Sequence, residues 1–126
     1  MTLIARFKVD GFEPRQVKGL DDADWFSLLT FSKIFTSGII GSATTLFMHA
    51  GPEGSRSYVA TERITGTTED GREGSVTVQH GGVESGPGSA FGHIVPGTGT
   101  GGLEGWAGPA IIRHDGQGAY FEITLA

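Results

Sequence analysis

Glu62 and His80 are the two side chains of this chain whose types suit proton transfer and whose spacing can bring them together. They stand in two alternating segments, Tyr58 to Gly66 and Gly71 to His80, joined through Glu69-Asp70-Gly71. That link suits a three-residue loop, a type I turn followed by glycine in the left-handed conformation. If Thr68 pairs with Arg72, then Ile64 opposes Val76, Glu62 opposes Val78 and Ala60 opposes His80. Glu62 and His80 become diagonal neighbours on the face that also carries Tyr58, Ala60, Ile64, Val76 and Val78. A two-residue Asp70-Gly71 loop would reverse the faces. Arg63 in place of Glu62 on the inside would make a pocket for anions such as carboxylates.

An inward carboxylate in a small barrel meets a low dielectric, which raises its pKa and suits it to general acid or base work with His80 sharing the proton. The plainer account has Glu62 facing outward, or locked by Arg63, Arg72 or a backbone amide. In that account His80, at a strand end beside Gly81-Gly82, bonds the loop backbone. Other chemistry is sparse. The chain has no cysteine and no Ser/His/Asp order that favours a hydrolase triad. His49, His80, His93 and His114 are dispersed, with no His-x-His or His-Glu-x-x-His, so neither a metal nor a cofactor is expected.

The elements that must position these residues are strands. Glycine, 22 of 126 residues, weakens helices and marks turns and sheet corners. Ile4 to Val9 alternates as an opening strand closed by Asp10-Gly11. Residues 12 to 24 read as a loop, in which Asp21 or Asp22 can cap one short helical turn around Trp25. Trp25 to Phe35 fits a strand or a helix by periodicity, and its context favours a strand. Ala43 to His49 follows, then the turn Gly51-Pro52-Glu53-Gly54, the hairpin above, and a strand from Ala90 to Val95 stopped by Pro96. The glycines of residues 97 to 108 lack the spacing and the following lysine of a phosphate loop, and they permit tight curvature. Ile111 to Asp115 and Ala119 to Leu125 form a last hairpin with Phe121, Ile123 and Leu125 inside. Pairing of that hairpin with the first strand would close a barrel.

A single β-barrel domain spanning 1–126 is the expected organisation. The net charge of −5 and scattered basic residues argue against nucleic acid. No apolar run approaches the roughly 18 residues that span a bilayer, and the start lacks a secretory leader, so no membrane partner and a cytoplasmic location are expected. Trp25, Phe47, Tyr58, Phe91, Trp106 and Phe121 are candidates to line an apolar ligand cavity, with plain core packing as the alternative for each. Small residues at Ala43, Ala60 and Ala90 lean toward a cavity.

Val59 to Gly66, Gly71 to His80 and Val95 to Gly105 together resemble the signature blocks of a bacterial family, the domain-of-unknown-function 3224 family, from about Phe31 onward. That family is similar in fold to the allene oxide cyclase barrel, a closed eight-stranded antiparallel meander, and Gly99 to Gly108 resembles the matching turn of allene oxide cyclases and plant dirigent proteins. The resemblance implies an all-β barrel that binds apolar molecules and steers cyclisation or coupling with little acid-base machinery. It also implies homo-oligomers. The chain departs from the pattern at Ser37-Gly38, where Gly-Asp is expected, and at Gly102, where Glu is expected. Two functions follow. One is a barrel binding a small hydrophobic metabolite and guiding its isomerisation or cyclisation without a cofactor, assisted by Glu62 and His80. The other is a non-catalytic binding or homo-oligomeric assembly module with a filled core.

Overall fold

Alternating segments separated by glycine turns can satisfy their backbone only by pairing with each other, and here they do so without leaving an edge. In the computed structural model, which describes residues 1–126 apart from the Pro87 side chain, the chain forms eight strands: β1 (Thr2–Arg15), β2 (Ser27–Ser37), β3 (Ile39–Ala50), β4 (Ser57–Thr68), β5 (Glu73–Val83), β6 (Gly86–Ile94), β7 (Gly108–Asp115) and β8 (Gly118–Thr124). Each pairs antiparallel with the next, and β1 pairs with β8, so the sheet closes as an eight-stranded meander barrel. No helix is long and apolar enough to cross a membrane.

The central hairpin has the register expected of a three-residue loop. Thr68 N donates to the Arg72 carbonyl at 2.9 Å, Gly71 has φ +86°, and Ile64, Glu62 and Ala60 oppose Val76, Val78 and His80. The first strand is longer than its pattern indicates, because a bulge between Val9 and Gly11 breaks the period of two while pairing with β2 continues to Arg15. Residues 12–15 are therefore strand and not loop. The segment around Trp25 forms turns with no helical turn, and the single helix among the described residues is a 3-10 turn at Gly101–Leu103.

The core is built on the inward faces. Phe7, Phe35 and Phe121 meet with ring centroids 5.4 to 6.2 Å apart and fill the barrel's width. β6 is short and pairs with β7 only through His93–Pro109 and Ile94–Gly108. Near the far end the glycine loop takes its place beside β5: Val95 N bonds the Thr77 carbonyl at 2.9 Å and Thr100 N the Ser75 carbonyl at 2.9 Å. The loop seats so closely that a Cβ on Gly74 would lie 1.9 Å from the Thr100 carbonyl oxygen, and Leu103 closes that end fully buried.

Gly74→Ala should therefore destabilise by roughly 1–3 kcal/mol through overpacking against rigid backbone. Gly116→Ala, with nothing within 4 Å of the new methyl, should stay within about 0.5 kcal/mol of wild type. Urea denaturation of the two variants checks this, and equal stabilities would remove the loop as a seal.

Candidate functional site

Alternation along β2 puts Leu29, Phe31, Lys33 and Phe35 on the inner face, and Lys33 thereby joins Glu62 of β4 and His80 of β5 in the barrel's middle. The three are 3 %, 1 % and 2 % exposed. Lys33 Nζ donates to Glu62 Oε1 at 2.7 Å, and His80 Nε2 lies 2.7 Å from the same oxygen. The ammonium also sits 4.2 Å from the centre of the Phe7 ring, which adds a cation–π contact. Neither expected arginine holds Glu62. Arg63 points outward to Thr77 and the Thr98 carbonyl, and Arg72 pairs with Asp70. His80 does not bond loop backbone either, since Gly81-Gly82 continue β5 and both ring nitrogens face side chains.

These partners set the charges. Burial works to raise the Glu62 pKa, but the hydrogen bond from His80 and the charge and hydrogen bond of Lys33 outweigh it, so the carboxyl is held below its ordinary value. This reverses the rise expected from burial alone. Burial lowers the Lys33 pKa, with Glu62 opposing. A carboxylate only accepts, so His80 Nε2 carries a hydrogen, and in the neutral ring Nδ1 is the acceptor. Tyr58 OH lies 3.0 Å from that Nδ1 and donates to it when the ring is neutral. Burial, helped by the Glu62 charge, pushes the Tyr58 pKa up to about 12.

Tyr58 links this array to a cavity. At the barrel end formed by the starts of β2 and β4 and the ends of β3, β5 and β7, a space of about 690 Å³ is lined by Leu29, Phe47, Tyr58, Gly82, Ala90 and Ile112 among others, a size typical of small-molecule sites. Ser89 and Ala90 of β6 lie on one side and Ile112 to His114 of β7 on the other, so the space opens where the β6–β7 pairing has stopped. Phe47 stacks on Tyr58 at 5.1 Å and on Phe31 at 4.8 Å, giving one wall three aromatic rings deep.

Of the residues singled out from the sequence, Phe47 and Tyr58 line this cavity. Phe121 is fully buried beneath it, edge-on to His80 at 5.2 Å. Trp25 is exposed on the β1–β2 connection, its ring tilted against Phe26. Phe91 lies outside, its ring covering Gly81, where a Cβ would come within 2.6 Å of it. Trp106 is buried near the 3-10 turn at the opposite end, beside Arg72. Ala43 and Ala60 are buried in the wall, and Ala90 borders the cavity. Lys33 escaped the sequence reading although the alternation Leu29-Phe31-Lys33-Phe35 marks it; a lysine within an apolar face was the available signal.

A family model described as "Protein of unknown function (DUF3224)" matches residues 3–126. The chain belongs to the DUF3224 family. The match begins well before Phe31, where the sequence resemblance became visible. A crystal structure of a DUF3224 protein of unknown function from Shewanella oneidensis MR-1 superposes with a TM-score of 0.80 at 22 % identity, covering 100 % of this chain and 96 % of that one, and at that identity it speaks for the fold. No curated protein matches the chain. The two places where the chain departs from the pattern expected from the sequence, Ser37-Gly38 and Gly102, lie at the end opposite the cavity, and both glycines are tightly enclosed. A Cβ there would meet backbone at 2.3 and 2.8 Å.

Removing one partner of a buried ion pair leaves an uncompensated charge, so Lys33→Met should cost about 3–5 kcal/mol near neutral pH, and Lys33→Met with Glu62→Met far less. The sign with pH follows from the lowered Glu62 pKa. Its contribution is complete above the unfolded value of about 4.3 and is lost as pH falls through the folded value. Urea denaturation at a series of pH values should thus show the gap between wild type and Lys33→Met closing toward acid. A gap that persists there would mean that Lys33 acts by packing on Phe7 and not by its charge.

Proposed function

We propose that the barrel binds a small hydrophobic molecule in its end cavity and moves a proton on it through Tyr58, guiding an isomerisation or cyclisation that needs no cofactor. The observation that carries this reading is the hydrogen-bonded run from Glu62 through His80 to a tyrosine on the cavity wall. A purely structural lock would have no need to end at an open space. In the reaction, a ligand C–H gives its proton to the Tyr58 oxygen as the Tyr58 proton passes to His80 Nδ1, and the imidazolium is held by the Glu62 carboxylate. Return of the proton to a different ligand atom completes an isomerisation and restores the starting state. Tyr58 keeps its proton at neutral pH, so the hydroxyl serves equally as an acid toward a developing enolate. Glu62 and Lys33 do not reach the cavity; they position and charge the relay. The resemblance to the allene oxide cyclase barrel supports the same class of shape-guided chemistry.

The test is deuterium exchange. An apolar ketone with acidic α-hydrogens, 2-naphthylacetone, is incubated with protein in heavy water and followed by mass spectrometry. Wild type should accelerate α-exchange, and Tyr58→Phe should lower that acceleration by about 10²–10⁴-fold with binding changed little. A bound ketone with no acceleration would overturn the catalytic half and leave a binding module.

A second reading, homo-oligomeric assembly without chemistry, has an observation of its own. Met48, Val59 and Phe91, 41 %, 50 % and 49 % exposed, form an apolar row across the outer face, where Met48 opposes Val59 and Val59 opposes Gly81 under Phe91. Light scattering should then report a mass above 13.2 kDa that falls to the monomer in Val59→Lys. A monomeric wild type would sink this reading.

A further inference from the structure

The chain carries a formal charge of −5, yet the cavity rim carries two arginines, Arg56 and Arg113, beside His49 and His114, with Glu84 as the acidic residue. Glu84 is already engaged, since its Oε2 accepts from the backbone N–H groups of Gly54 and Arg56 at 3.0 and 3.3 Å. Arg113 is shared with Glu122 at 3.3 Å. Arg6, Arg15, Arg63 and Arg72 also have side-chain partners. Arg56 is the one arginine whose guanidinium has no partner among the described residues, and it lines the cavity whose wall carries the Tyr58 hydroxyl. It immediately precedes β4, with its carbonyl accepting from Glu84 N at 2.8 Å, and it lines the same cavity as Tyr58 two residues further on.

Resting on the reading of the cavity as a ligand site, we infer that the ligand is an acid: a carboxylate held by Arg56, with an apolar or aromatic body against Phe47 and Ile112 and its reactive carbon at Tyr58. A planar guanidinium grips a carboxylate through two parallel N–H···O bonds, which fixes direction as well as charge. One free arginine matches one negative charge, whereas a phosphate monoester carries nearly two. The fixed carboxylate would decide which ligand carbon reaches the Tyr58 oxygen, so Arg56 is a positioning residue for the proton step.

Amide NMR titration of the folded protein with 2-naphthylacetate and its neutral near-isostere 2-naphthylacetamide tests this, with the Gly82 and Ile112 signals reporting occupancy of the cavity. The acid should bind about tenfold tighter than the amide, as expected for a partly desolvated charge-assisted pair. Added salt should weaken the acid alone. Arg56→Gln, at an exposed position, should bring the acid to the affinity of the amide and leave the amide unchanged. Equal affinities in wild type, or an acid preference that survives Arg56→Gln, would overturn the inference while the cavity reading stands. Binding of neither compound at Gly82 and Ile112 would overturn both.

Discussion

Taking the Glu62 carboxylate out of water costs several kcal/mol even after relaxation, and the barrel's middle layer is arranged around what offsets that cost. The compensation comes from two donors on one oxygen: Lys33 Nζ from β2 and His80 Nε2 from β5, each at 2.7 Å. Lys33 in turn needs its own support, which it takes from Glu62 and the face of Phe7. Because the donors come from strands on either side of the carboxylate's own region, the charge array is coupled to closure of the sheet. The direction of the His80 hydrogens follows from the same carboxylate, and with it the donor role of Tyr58 at the cavity.

Closure itself is uneven. β1 is long enough to pair with β8 by its first residues and with β2 by its later ones, so it carries the seam between the chain's two ends. The opposite weakness lies between β6 and β7, which share two residue pairs. At one end the glycine loop fills that gap with its own hydrogen bonds to Ser75 and Thr77, and close approach at Gly74 leaves no room for a side chain. At the other end no pairing among the described residues replaces it, and the cavity opens there. One short strand thus accounts both for the glycine-rich cap and for access to Tyr58.

The central hairpin was legible because its information is local. A turn of defined length, Glu69-Asp70-Gly71, sets register, and register sets which residues face inward; Glu62 and His80 lie together for that reason. The first strand was misjudged because a bulge destroys the period on which the judgement rests. The aromatic residues were legible as apolar and no further. Phe91 lies outside because it covers Gly81, ten residues away on the neighbouring strand, and Trp25 because it lies on the connection before β2, where no alternation applies. The sense of the Glu62 pKa shift was lost for a related reason, since burial was foreseeable and Lys33, 29 residues away, was not assigned to it.

By itself the sequence determined most of the strand segments and turns, the inward set of the central hairpin and the family to which the chain belongs, because these depend on side-chain periodicity and on glycine at turn positions. Which inward residues meet was decided only by the closed barrel. Inward side chains of β2, β4 and β5 converge in the closed interior, which makes Lys33 the partner of Glu62, and closure leaves Tyr58 at an open end and Trp106 at a sealed one. Contacts across a barrel depend on the tilt and stagger of all eight strands together, and no single segment encodes that.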